Sequence, residues 1–474
     1  MLSEDILYLP VSELSTRIRS RAISPVELTQ SYLDRIAKIS PRLNAFETVT
    51  ADLALEQARA AEKEIGAGRY RGPLHGIPYG AKDLLATAGI PTSWGAAPCK
   101  GQMFGADATV VRKLREAGAV LLGKCAMVEF AGGLGYRFAD SSISGPGRNP
   151  WNPERWTGGS SSGSGAAVAS ALCAFAIGTE TWGSILCPSA FCGITGLRPT
   201  YGRVSRAGGM VCAYSFDKIG PLARSASDCR TILEAIAGPD PDDPSASNER
   251  VDLNAARGPL KKLKGALVEM DFKQKGAESE VKAAFDSAVA TLRGAGLQIE
   301  SAKFPEFPAS EVAGLLISAE AVSAFEPFFK DGGVKKLRDP YARYQEEINA
   351  PITGADVVKA WRMRAMLQQK MAEFYAKYDY VVTPNFLSIA SPVKGDLNQV
   401  LSYADPAGGI GNACGLPSIA LPIGLGRENM PVSFQIMGAP FDETTVIELG
   451  ELCQSRTKFH LARPPIAVAV GAAH

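Results

Sequence analysis

The stretch TGGSSSGSGAAVASALCAFAIGTETWGS, residues 157–184, changes character twice. Its first fourteen residues hold five serines and four glycines, which is the composition of a flexible linker. The residues beyond argue against a linker: an Ala/Val helix from about Ser164, then a continuous apolar strand that breaks into a polar turn at Thr181. Three other readings also compete for the serines. Gly159–Gly163 matches GxSxG, but a nucleophile elbow needs a strand directly before it, and NPWNPERWT carries two prolines there. An elbow also needs a downstream histidine, and only His460 qualifies. A phosphate loop would end in GK[ST], which is missing. Ser215–Lys218 matches SxxK, without the KTG or SDN that accompany that motif.

The rest of the chain frames this segment. PVELTQSYLDRIAKI and LALEQARAAEKEI read as amphipathic helices, so residues 1–66 are expected to form a helical lead-in. GIPYGAKDLL reads as a short strand entering a loop, ATVVRKLREAGA as a helix and AVLLGKCAM as a buried strand. GPDPDDPSASNE (238–249) is the clearest loop. Beyond it LKGALVEM, YVVTP, SIALPIG and VSFQIMG read as strands, with helices such as SEVKAAFDSAVATLRGAG between them. The alternation predicts an α/β fold with helices on both faces of a sheet. No internal repeat is visible. The expected organisation is one domain over 1–474: the lead-in, a catalytic core over 67–236, a surface loop over 237–258 and the remainder of the same fold over 259–474.

Composition narrows the chemistry. The chain has 474 residues, 46% hydrophobic and 21% charged, with a net charge of +1. Charges of both signs are interspersed, so a nucleic-acid partner is not expected. The N-terminus lacks a signal-like apolar core, and the longest apolar stretch, around Ala166–Ile177, is too short for a membrane span. The expected setting is cytoplasmic, with no membrane partner. The nine cysteines are scattered and mostly lie in apolar runs, so reduced, buried thiols are expected. Cys187 and Cys192 have no CxxC or histidine cluster near them, so no metal site is expected. Only His75, His460 and His474 are present, which leaves little for a histidine-dependent enzyme. A serine hydrolase without histidine remains. Lysine can serve as the base when burial depresses its pKa, and Lys82, ending an apolar segment, is the candidate. The competing role for Lys82 is a solvated surface lysine.

Here a resemblance becomes specific. LHGIPYGAKDLL, GKCAMVEFAGG, GRNPWNPERWTGGSSSGSGAAVAS, GTETWGSILCPSAFCGITGLRPTYGRVSR, DKIGPLARSASDC, GPDPDD, NACGLPSIALPIG and PVSFQIMG occur in the order found in the amidase signature family. The matches run from about Ile23 to His460, and the chain is similar to that family throughout. The resemblance implies a single large domain with a central twisted mixed β-sheet flanked by helices. It implies a serine, cis-serine, lysine triad: Ser184 as nucleophile, Ser160 after a cis Gly159–Ser160 bond as relay, and Lys82 as base. It implies an oxyanion hole from the N–H groups of Thr181, Trp182, Gly183 and Ser184, donors of a kind typically worth about 3 kcal/mol each. Phe130, Ala131, Gly132 and Gly133 match the family segment that faces the scissile group and are expected to line the pocket. Asp405 lies near the position where glutamine-using members hold the substrate's amine; a loop or helix-cap aspartate is the competing role. No cofactor is implied.

The chain also departs from the family pattern. The nucleophile turn commonly reads Asp-Thr-Gly-Gly-Ser, and here it is Glu180-Thr181-Trp182-Gly183-Ser184. Thr157 and Ser162 replace a common Pro and Gly. The indole of Trp182 either packs into the core or walls the pocket. The expected function is hydrolysis of a carbon–nitrogen bond in a small-molecule amide, with esters and carbamates open to the same acyl transfer. The alternatives are the A subunit of a tRNA-dependent amidotransferase and a catalytically silent binding relative. Homo-oligomer formation is left open.

Overall fold

In the computed structural model, residues 2–249, 251–253, 258–344, 351–400 and 405–466 are described; His474 lies outside them. Eleven strands form one mixed sheet: β1 Phe46–Val49, β2 Pro78–Lys82, β3 Val120–Cys125, β4 Phe175–Glu180, β5 Thr195–Arg198, β6 Lys218–Ala223, β7 Lys264–Val268, β8 Gln298–Ala302, β9 Tyr380–Pro384, β10 Ser418–Leu425 and β11 Pro431–Gly438. Their spatial order is β1-β3-β2-β4-β6-β5-β10-β11-β9-β7-β8. β2 pairs parallel with β3 and β4, and β7 pairs parallel with β8 and β9. The neighbours between these groups are antiparallel. Every residue of β2, β3, β4, β6, β9 and β11 is buried. Both faces of the sheet are therefore covered, as the near-continuous apolar runs require.

The lead-in is not purely helical. Helices Val11–Arg19, Pro25–Leu43 and Ala51–Gly66 form as their periodicity requires, and Ser24 caps the second by accepting from the amides of Val26 and Glu27. Between the last two, however, β1 adds an edge strand antiparallel to β3. The loop expected over 237–258 is anchored at two points. Asp240 accepts from the hydroxyls of Thr109 and Ser205, both at 2.5 Å, and Asp243 accepts from the Arg206 amide at 2.7 Å.

The central strands position the site. β2 and β4 run parallel, with Ala81 opposite Ile177. Their C-terminal ends therefore reach the same edge of the sheet, the edge where α/β folds place their ligands. Lys82 ends β2 there, and Thr179 and Glu180 end β4. The helix Ser162–Ala169, buried at every residue, precedes β4 and brings the Gly/Ser turn to that same edge.

Candidate active site

Lys82 is fully buried. Its Nζ lies 2.7 Å from Ser160 Oγ, 2.9 Å from Thr179 Oγ1 and 3.4 Å from the Thr179 carbonyl. Burial pulls the lysine down to about 7, against partial opposition from Cys212, Asp217 and Glu180. A lysine in that range is neutral often enough to accept a proton. The Gly159–Ser160 peptide bond is cis. A Cβ on Gly158, which has φ +80°, would fall 2.9 Å from both Cys187 Sγ and Pro188 N, so this turn packs against the helix Leu186–Cys192 with no room for a side chain. Thr157 and Ser162, the two departures in the turn, converge on Gly147, where a Cβ would meet them at 2.5 and 2.8 Å.

Ser184 follows β4 in the next turn. Its carbonyl accepts from the Ser161 amide at 3.3 Å, which holds the Thr181–Ser184 turn against the Gly/Ser turn one residue from Ser160. Among the described residues, the amides of Trp182, Gly183 and Ser184 donate no hydrogen bond within the protein. Gly183 has φ +78° with open space where a Cβ would stand, so its role is conformational. Ser161, the serine of the elbow motif, is fully buried, with its Oγ between the carbonyl and amide of Thr179 at 3.3 Å each. It has no access to a substrate.

Four charged residues hold the Thr181–Ser184 turn, and sequence reasoning assigned none of them a role. Glu180 Oε2 accepts from the amides of Ile185 and Leu186 at 2.9 and 3.0 Å, and its Oε1 accepts from Arg198 at 2.8 Å. Burial alone would raise the Glu180 carboxyl; Arg198, Lys218 and the Leu186 amide outweigh it and hold the pKa low. Asp217 accepts from the Thr181 hydroxyl at 2.6 Å, and Lys218 donates to the Thr181 carbonyl at 3.3 Å. Burial raises Asp217 and lowers Lys218 to about 7. The SxxK residues diverge, because Ser215 Oγ bonds Glu320 and Arg364 instead. DKIGP and GLRP were visible in the sequence as matches, but nothing in their spacing shows that they meet behind one turn.

A cleft of about 1200 Å³ opens over the turn. Thr181, Trp182 and Ser184 line it, together with Ala131, Gly132 and Gly133. Phe130 does not, which corrects that expectation. Its ring is fully buried and packs on Phe325 and Phe328 at 4.5 and 4.9 Å, while its positive φ turns the following backbone toward the cleft. Asp405 is also absent from the lining. It accepts from Gln435 Nε2 at 3.0 Å and from the Ala407 amide at 3.2 Å, just ahead of the helix Gly408–Ala413. The Trp182 indole both lines the cleft and packs on the apolar cluster beneath the helix Ala309–Ala324, so the two readings of it are not exclusive. His75 precedes β2 at the opposite edge of the sheet and contacts Glu64 and Arg71. Among the described residues, no group of three or more His, Cys, Asp or Glu could hold a metal, and no helix is long and apolar enough to cross a membrane.

This geometry has relatives. Residues 27–447 match the Amidase family, and the chain belongs to that amidase signature family of enzymes. It is 35% identical to the A subunit of glutamyl-tRNA(Gln) amidotransferase from Carboxydothermus hydrogenoformans, over 98% of this chain and all of that protein. The same subunit of Moorella thermoacetica is 36% identical, with the same coverage. The structure of the peptide amidase from Stenotrophomonas maltophilia superposes with a TM-score of 0.83 at 30% identity, over 96% of this chain and 98% of that one. These relatives overturn the expectation that nucleic acid has no place here. A balanced net charge cannot exclude it when chains this similar along their whole length are subunits of an amidotransferase named for a tRNA.

Proposed function

We propose that the chain hydrolyses the carbon–nitrogen bond of an amide through an acyl-enzyme on Ser184. The observation that carries this reading is the enclosed contact of Lys82 Nζ with Ser160 Oγ at 2.7 Å, beside a turn whose amides are free to bind an oxyanion. Neutral Lys82 takes the Ser160 proton as Ser160 takes that of Ser184. Ser184 Oγ then bonds to the carbonyl carbon, and the oxyanion gathers under the amides of Thr181, Trp182, Gly183 and Ser184. The C–N bond breaks as the proton returns along the relay to the departing amine. Water then attacks the ester, restoring Ser184 and releasing the carboxylic acid. The residues of the relay argue against a catalytically silent relative.

Two settings fit this chemistry. The named relatives favour an amidotransferase A subunit, which would free ammonia from a carboxamide such as glutamine within a tRNA-dependent complex. The cleft favours a stand-alone hydrolase of neutral amides, because none of the described residues that line it is charged. The experiment measures ammonia release from glutamine and aniline release from acyl anilides. It uses the purified chain alone, and then with tRNA and the remaining amidotransferase subunits of its own source. Glutamine turnover that depends on the complex supports the amidotransferase setting. Anilide turnover by the chain alone, with glutamine inert, supports the stand-alone setting. Release of neither product under any condition overturns the hydrolase reading.

A further inference from the structure

Although the cleft lining carries no charge, a carboxylate lies directly behind its wall. A methyl group on Gly408 would fall 2.3 Å from Asp405 Oδ2 and 2.4 Å from Trp182 Nε1. The bare glycine thus lets the indole edge and the carboxylate converge on one point. Trp182 faces the cleft and Asp405 does not. Of the charges close by, Arg198 binds Glu180 through Nη1 and the Leu416 carbonyl through Nε, while its Nη2 has no partner among the described residues and its charge favours the ionised form of Asp405. Asp405 Oδ1 is held by Gln435 and the Ala407 amide, which leaves Oδ2 as the oxygen on the indole side.

We propose that Trp182 is the specificity-determining residue of this cleft: its indole screens Asp405, so the site selects amides that are uncharged near the scissile group and rejects those bearing an ammonium. Removing the indole leaves a cavity ending on a carboxylate, where an ammonium finds a partner. This inference rests on the acyl-transfer reading of Ser184. It also makes free glutamine, which carries an ammonium, a poor substrate of this cleft.

The test compares kcat/KM for butyranilide and for 2-aminobutyranilide, its ammonium analogue, read as aniline release. The variants are Trp182→Gly, Asp405→Asn and the double substitution. In Trp182→Gly the ammonium-to-neutral ratio rises tenfold or more, and adding Asp405→Asn returns it to the parent value. In the Trp182 background, Asp405→Asn leaves the ratio unchanged; a drop there would show that Asp405 already senses substrate and would overturn the screen, even if Trp182→Gly fails to fold. An unchanged ratio in folded Trp182→Gly, or a rise that survives Asp405→Asn, also overturns it. Fluorophosphonate labelling separates the two levels. Ser184 labelled with an unchanged ratio defeats the screen alone, whereas a parent enzyme that turns over anilide without reacting at Ser184 defeats the acyl-transfer reading.

Discussion

Among the described residues, only Ser160 and Thr179 accept a hydrogen bond from the Lys82 amine. Desolvation disfavours the ammonium form, and the lysine falls to about 7. The sign for activity is set by that direction. On the proposed relay, the amine protonated below that pH cannot take the Ser160 proton, so kcat/KM is expected to fall about tenfold per pH unit there and to reach a plateau above it. Lys218 also lies near 7, so variants must identify which group owns the limb. Lys218→Gln should keep the limb at its parental midpoint, while Lys82→Ala should lose both the limb and most of the rate. A limb that survives Lys82→Ala and disappears in Lys218→Gln would assign the titration to the wrong lysine for this mechanism. Lys82 was legible in the sequence because it ends an apolar strand inside a family motif. Thr179 was not: its contact with Lys82 exists only because β2 and β4 lie side by side.

At the scale of elements, the turn that carries Ser184 rests on a buried ion pair. Arg198 ends β5 and Glu180 ends β4, with both side chains fully buried. Arg198→Met would strand the Glu180 carboxylate without its partner. Removing one member of such a pair typically costs about 3–5 kcal/mol, which chemical denaturation would read. Adding Glu180→Gln should recover part of that loss, because it removes the stranded charge. A loss below about 1 kcal/mol for Arg198→Met would mean that the amides of Ile185 and Leu186 hold Glu180 unaided. The strands that the sequence hid each have a physical cause. β6 carries Gly220 and Pro221 in its interior, and glycine and proline inside a strand suppress the strand pattern. β5 and β1 are four residues each, too short to show a period. β8 alternates weakly because it is an edge strand in which only Ile299 is buried. The strands that were legible, β2, β3, β4, β7, β9, β10 and β11, are the predominantly apolar runs.

At the scale of the whole molecule, strand alternation and ordered motifs were enough for a single mixed sheet flanked by helices, and the solved relatives share that fold. Composition served less well for partners. Net charge describes one chain in isolation, and a chain related along its whole length to amidotransferase subunits need not carry the charge of its complex. The central claim remains local: acyl transfer passes through Ser184. Its most direct test is to quench the enzyme during turnover of an ester or anilide and locate the acyl group by peptide mass spectrometry. The adduct is expected on Ser184 in the parent enzyme, with none in a folded Ser184→Ala variant that has lost nearly all activity. An adduct on Ser161, or full turnover by Ser184→Ala, would refute acyl transfer through Ser184.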